Sequence, residues 1–273
     1  MSKKKVLFIS SEMNPFLQGS SVSEIARQLP QAIQEKDNEI RILVPRFGVI
    51  NERRNRLHEV VRLSGINITI DDNDNPLIIK VASIPEAKMQ VYFLDNEDYF
   101  HRKYVYTDEN NEFFADNDER TIFFCKGALE TVKKLGWSPD IIHCQGWMTS
   151  LIPLYLKTIY RNEPVFKKAK VVYSVFENMF AENLGKDFAR KAGLNHIETE
   201  QLACYDEGDC KNLYIGAIQH SDAVVKCSQA LDPAVESYIA NLATDKPVLQ
   251  HTSGTLADEY SQFYDDLITL AQN

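Results

Sequence analysis

Residues 4–44 read KKVLFISSEMNPFLQGSSVSEIARQLPQAIQEKDNEIRILV, and this stretch decides the fold. Lys4 to Ser10 is a short apolar run with bulky side chains, the signature of a strand buried on both faces. A polar loop, Glu12 to Gly19, leads into a helix that Ser20 or Ser21 can cap and that runs to about Lys36. Within it Ile25, Leu29 and Ile33 recur four residues apart as one apolar stripe. Glu24 stands three residues after Ser21, so that pair reads as a capping box. Glu39 to Val44 repeats the buried-strand pattern until Pro45 stops it. Strand, helix and strand in so few residues make one parallel, right-handed βαβ unit.

The same alternation returns further along. A helix is predicted from about Asp118 to Leu135, a strand starting at Asp140 to His143, and an apolar helix from Ser150 to Ile159. Then come a strand at Lys170 to Val175, a helix at Lys211 to His220, a strand at Asp222 to Lys226 and a short helix at Val235 to Leu242. Between Arg56 and Leu94 the pattern changes to strands alone: Glu59–Leu63, Ile66–Ile70, Leu77–Ser83 and Gln90–Leu94, with a polar turn over Asp71–Pro76. The fold class is therefore α/β: an open, doubly wound, mostly parallel Rossmann-like sheet with a small antiparallel excursion and a C-terminal helix. Residues 1–246 read as one lobe and 247–273 as a polar linker followed by an amphipathic helix. That helix sets Tyr260, Phe263, Tyr264, Leu267 and Leu270 roughly on one face, either docked on the lobe or offered to a protein partner or a second copy.

Composition narrows the function. At 44% hydrophobic and 25% charged, the 273 residues can build a core without disulfide or metal staples. The 30 Lys and Arg against 39 Asp and Glu give a net charge of −9, which argues against a nucleic-acid partner or an anionic membrane surface. Five cysteines without a C-x-x-C pair read as reduced, mostly packing residues, with a bridge between Cys204 and Cys210 across an acidic loop as the disfavoured alternative. His58, His101, His143, His196, His220 and His251 are scattered without metal-ligand spacing, so neither a metal nor a cofactor is expected. The apolar run after Lys3-Lys4-Lys5 is too short for a secretory segment, which needs roughly 7–15 apolar residues, and a cytoplasmic location is expected.

In an open parallel sheet, ligands gather outside the carboxyl ends of the strands. Those ends carry Ser10-Ser11-Glu12, Pro45-Arg46, His143-Cys144-Gln145, Ser174 to Glu177 and Lys226-Cys227-Ser228. The loop Gln18-Gly19-Ser20-Ser21 before the first helix reads either as an ordinary N-cap or as an anion or sugar site at a helix N-terminus. It is not a dinucleotide fingerprint, because Gly19 stands alone. His143 reads as a hydrogen-bonded core histidine unless a carboxylate adjoins it for acid–base work. A Cys144–His143 nucleophilic pair is disfavoured, since adjacent strand residues point to opposite faces. Two carboxylates and two amides, Glu12, Gln18, Gln145 and Glu177, suit a small hydroxylated or cationic ligand better than a phosphate.

The blocks in this order resemble the N-terminal, acceptor-side half of bacterial glycogen synthases and plant starch synthases, glycosyltransferases of the GT-B type. Lys5 to Phe16 is similar to their K-V-L-F-V-x-S-E-x-x-P-F opening. Leu29-Pro30, Val44 to Ile50, Asp116 to Arg120, Leu135 to His143 and Thr149 to Lys157 follow in register, so the resemblance spans residues 4 to about 240. It implies a single GT-B lobe and a family reaction in which glucose passes from ADP-glucose to an α-1,4-glucan, with an α-glucan as the expected ligand.

The departures fall where the family does its chemistry. Where relatives carry K-T-G-G-L-G-D, this chain has Gln18-Gly19-Ser20-Ser21-Val22-Ser23-Glu24, so the nucleotide-holding lysine is Gln18 and the acid survives as Glu24. Their H-x-H-D-W block reads His143-Cys144-Gln145-Gly146-Trp147, with Gln145 at the glucose-facing histidine and Gly146 at the aspartate. A later T-I-H-N block ends in Glu177, and the lysine of an F-L-K-G block is Ile215. The match also ends where the family's second lobe begins. Together these predict a non-catalytic binding or regulatory homologue; the alternative is a transferase active only with a donor-binding lobe supplied in trans. The candidate ligand-binding residues are Glu12, Gln18, Gly19, Ser20, Glu24, His143, Gln145, Trp147 and Glu177, with no catalytic residue assigned.

Overall fold

The computed structural model describes residues 3–84, 87–177, 179–193, 197–242, 244, 246–252 and 256–270. Ten strands form its sheet: β1 (Lys5–Ser10), β2 (Glu39–Pro45), β3 (His58–Glu59), β4 (Ile66–Ile70), β5 (Asn73–Ile84), β6 (Met89–Asp95), β7 (Ile141–Gln145), β8 (Lys170–Val175), β9 (Ala223–Lys226) and β10 (Val248–Gln250). Their spatial order is β10-β9-β8-β7-β1-β2-β6-β5-β3, with β4 paired to β5. From β10 to β6 every pairing is parallel, and β5 runs antiparallel to β6, β3 and β4. The strand order reverses at β1, with β2 on one side and β7 on the other, as a doubly wound sheet requires.

The central strands are largely apolar because helices cover both faces, although β7 also buries His143 and Gln145. The first helix (Ser21–Gln34) buries Val22, Ile25, Ala26, Leu29 and Ile33, the expected stripe. The terminal helix (Leu256–Leu270) lies beside it. The long helix (Asn117–Leu135), the helix Leu151–Lys157 and the helix Cys210–His220 pack together on the other face.

The terminal helix buries Tyr260, Tyr264 and Leu267, so its apolar face is occupied within the chain. Leu270, expected on that face, is 64% exposed. No helix among the described residues is long and apolar enough to cross a membrane.

Four local expectations are corrected. The capping box is Ser20 with Ser23, not Ser21 with Glu24: Ser20 Oγ accepts the Ser23 N–H at 3.0 Å, while Glu24 Oε1 accepts from Asn14 Nδ2 at 2.9 Å. The hairpin between β4 and β5 closes on Asp71 and Asp72 alone, both left-handed at φ 47° and 66°, because Asp tolerates that region; Asn73 to Pro76, read as turn, belong to β5. Of the expected Glu59–Leu63 strand only Glu59 pairs, together with His58 before it, as β3, since the chain turns at Val60, whose carbonyl accepts the Leu63 N–H at 2.8 Å. β10 lies in the stretch read as linker and adds a parallel edge strand beside β9.

Candidate functional site

The carboxyl ends of β1, β7 and β8 bring several of the sequence candidates to one end of the sheet. Glu12, just past β1, is half-buried. Its carboxylate accepts from the Ser20 hydroxyl and, at 3.1 Å, from the Tyr106 hydroxyl. Ser20 thus links the strand-end carboxylate to the N-terminus of the first helix, where negative charge is stabilised. Burial first, and then the Glu12 charge, raises the Tyr106 hydroxyl well above its ordinary pKa. Gln18 and Gly19 are exposed at the loop tip, Gly19 with φ +102° and open space where a side chain would stand. Glu24 is exposed and Glu177 likewise, the Glu177 N–H donating to Ser228 Oγ at 3.0 Å.

His143 takes a different place. Its ring is fully buried inside the sheet, with Nδ1 2.7 Å from the Tyr264 hydroxyl and Nε2 2.7 Å from Ser174 Oγ. One nitrogen donates and the other accepts, so both hydroxyls are matched by a neutral ring. Burial, with a smaller push from His251, lowers its pKa from 6.5 to about 3. Cys144 faces the opposite layer, near Cys125, with a thiol held well above its ordinary pKa by burial, so the two side chains do not meet. All five cysteines are free.

Gln145 and Gly146 hold the most telling geometry. The Gln145 side chain is completely buried, and neither its amide oxygen nor its nitrogen has a hydrogen-bond partner. Gly146 sits at φ +84°, and a Cβ there would lie 2.5 Å from Ser11 Oγ, so the chain has closed around a residue without a side chain. Trp147 is buried under an aromatic group: Tyr106 at 5.1 Å, Phe113 at 6.3 Å and Phe180 at 4.8 Å between ring centres. Phe113 and Phe180, both half-buried, stack on each other at 5.0 Å. Sequence reading missed Tyr106, Phe113 and Phe180. They come from irregular loops without periodicity, and their only signal was aromatic side chains within otherwise acidic or polar stretches.

Four cations near these strand ends are already matched, while Lys103 lies over the Tyr104 ring. Arg46 bonds Glu52, Arg102 bonds Asp116, Lys191 bonds Asp118 and Glu119 at 2.8 Å each, and Lys226 bonds Glu236 at 2.8 Å. Glu52, Asp95 and His101 bring three ligand-type atoms within 4.8 Å of one another. Lys80 reaches Glu52 at 2.6 Å and Asp95 at 2.9 Å, so with Arg46 the two carboxylates are balanced by two cations, and a metal ion would meet no uncompensated charge.

A doubly wound lobe whose strand order reverses between β1 and β7 is the architecture of a GT-B glycosyltransferase lobe. Residues 5–237 match the starch synthase catalytic domain family, and the chain belongs to that family. It is 40% identical over 226 residues to a glycogen synthase of Chlorobaculum tepidum, covering 82% of this chain and 46% of the relative. It is 35% identical over 254 residues to a glycogen synthase of Chlorobium phaeovibrioides, covering 92% and 51%. The fold is shared with the catalytic domain of starch synthase IV from Arabidopsis thaliana bound to ADP and acarbose, at a TM-score of 0.68 and 21% identity, over 82% of this chain and 45% of that one. The chain spans about half the length of the curated relatives it matches.

Proposed function

We propose that this chain is a non-catalytic homologue of glycogen synthase whose strand-end mouth takes a neutral, hydroxylated ligand of the α-glucan kind. The observation that carries this reading is the pair Gln145 and Gly146. The resemblance assigns these positions to a sugar-facing histidine and an aspartate; here one is a wholly buried amide and the other a glycine at positive φ where a side chain would run into Ser11 Oγ. Charge supports it. Diphosphate departure needs preorganised positive groups, usually the largest catalytic contribution, whereas Gln18 is neutral and Arg46, Arg102, Lys191 and Lys226 are matched within the chain. The starch synthase IV domain was captured with ADP and acarbose; of these two kinds of ligand, the exposed Gln18 amide and the half-buried aromatic rings here favour the carbohydrate.

Membership of the starch synthase catalytic domain family over residues 5–237 favours a second reading, a transferase that works only together with a donor-binding lobe. One chimera separates the two: this chain joined to the C-terminal lobe of the Chlorobaculum tepidum enzyme, assayed for glucose transfer from ADP-glucose to glycogen. The expected result is no turnover, while the chain alone is retarded in a gel containing glycogen. Turnover that Gln145→Ala abolishes establishes the second reading, and unretarded migration removes the glucan.

A further inference from the structure

The amino ends of the strands lie at the opposite end of the sheet from the mouth, and a groove of about 720 Å³ opens there. Six lysines line it, Lys3, Lys4, Lys157, Lys167, Lys168 and Lys170, against two aspartates, Asp140 and Asp222. Both aspartates have local work. Asp140 accepts the Lys5 N–H at 2.8 Å; Asp222 accepts the Val171 N–H at 2.7 Å and pairs with Lys157 at 2.8 Å. Lys4 is bonded to Asp265 at 2.7 Å. Lys3, Lys167, Lys168 and Lys170 have no carboxylate at ion-pair distance among the described residues. The loop bearing Lys167 and Lys168 is anchored by the buried rings of Phe166 and Tyr160, 6.1 Å apart, and Lys170 opens β8, so rigid backbone holds like charges together.

Such a concentration is out of character for a chain of net charge −9. Mutual repulsion among these ammonium groups falls when a multivalent anion enters. The groove's volume lies within the roughly 300–1,000 Å³ of small-molecule sites. The chain's net charge of −9 disfavours a long polyanion, which would need basic surface well beyond this groove. We infer that this groove binds a compact anion carrying two or more phosphoryl groups, at a site separate from the strand-end mouth. The inference stands whether or not the mouth holds a glucan.

Isothermal titration of the full chain with inorganic tripolyphosphate, pyrophosphate and orthophosphate tests it. Affinity is expected to fall in that order and to weaken as salt is added. Lys167→Glu/Lys168→Glu, both at exposed positions, should weaken tripolyphosphate about tenfold, and Lys170→Gln should weaken it less. Lys103→Glu, in the loop at the other end, should leave it unchanged. The inference is overturned if tripolyphosphate gives no binding at low salt, if the Lys167→Glu/Lys168→Glu protein binds like the parent, or if an RNA oligonucleotide binds more tightly than tripolyphosphate.

Discussion

A neutral imidazole between two hydroxyls makes His143 an acid-sensitive point of the core. In the unfolded chain the ring titrates near 6.5, whereas in the fold it resists protonation down to about 3. Above pH 6.5 both states are neutral and the residue adds no pH dependence. As pH falls below that value, the unfolded state binds a proton that the folded state refuses, and stability drops by up to about 1.4 kcal/mol per pH unit. Urea unfolding of His143→Gln should show a lower stability at neutral pH but a shallower decline between pH 6 and about pH 4; an unchanged slope would remove His143 as the cause. Gly146 is the other decisive residue. Gly146→Ala adds positive-φ strain to the 2.5 Å approach of Ser11 Oγ and should cost about 1–3 kcal/mol, with Ser11→Ala in the same chain recovering the steric part. Full additivity of the two substitutions would mean that Ser11 is not the obstacle.

At the scale of elements, the first helix is tied to the site by one side chain. Ser20 caps it, closes a box with Ser23 and holds Glu12, so Ser20→Ala should cost about 1–2 kcal/mol in thermal or urea unfolding. Ser23→Ala, which leaves the Glu12 contact in place, should cost less; equal losses would deny Ser20 its second role. This helix was legible from Ile25, Leu29 and Ile33, whose spacing survives any tertiary arrangement. Its box was misread because Ser20, Ser21 and Ser23 are interchangeable until the entry angle of the chain is known. The segment after Glu59 failed for a related reason: alternating side chains permit a strand, but the turn from Val60 to Leu63 interrupts the ladder, and the chain meets β5 again only at Ser64 and Gly65.

Across the whole molecule, the parallel half and the antiparallel excursion are clamped by charge. Arg46 at the end of β2, Lys80 on β5 and Asp95 at the end of β6 form one network with Glu52. Burial opposes ionisation of Glu52, yet the hydrogen bonds from Lys80 and Arg46 prevail and hold its pKa below 4.5. Its contribution is therefore complete above the unfolded carboxyl value and is lost as pH falls through the lower folded value. Lys80→Met strands the Asp95 carboxylate, only 1% exposed, and should destabilise the lobe by about 3 kcal/mol or more. A loss under about 1 kcal/mol in equilibrium unfolding would show that Arg46 and His101 suffice for Asp95.

The order of apolar runs and helical stripes by itself determined a doubly wound α/β lobe, and the blocks from Lys5 to Lys157 determined the family, because both signals lie within contiguous segments. Tertiary structure alone decided that His143 turns inward to Tyr264, 121 residues away, that Gln145 is sealed, and that Gly146 abuts Ser11. It also gathered lysines from the N-terminus, a helix end and a loop into one groove. Which side chains become neighbours depends on which helix covers which face of the sheet, and that is settled by packing between segments distant in the chain.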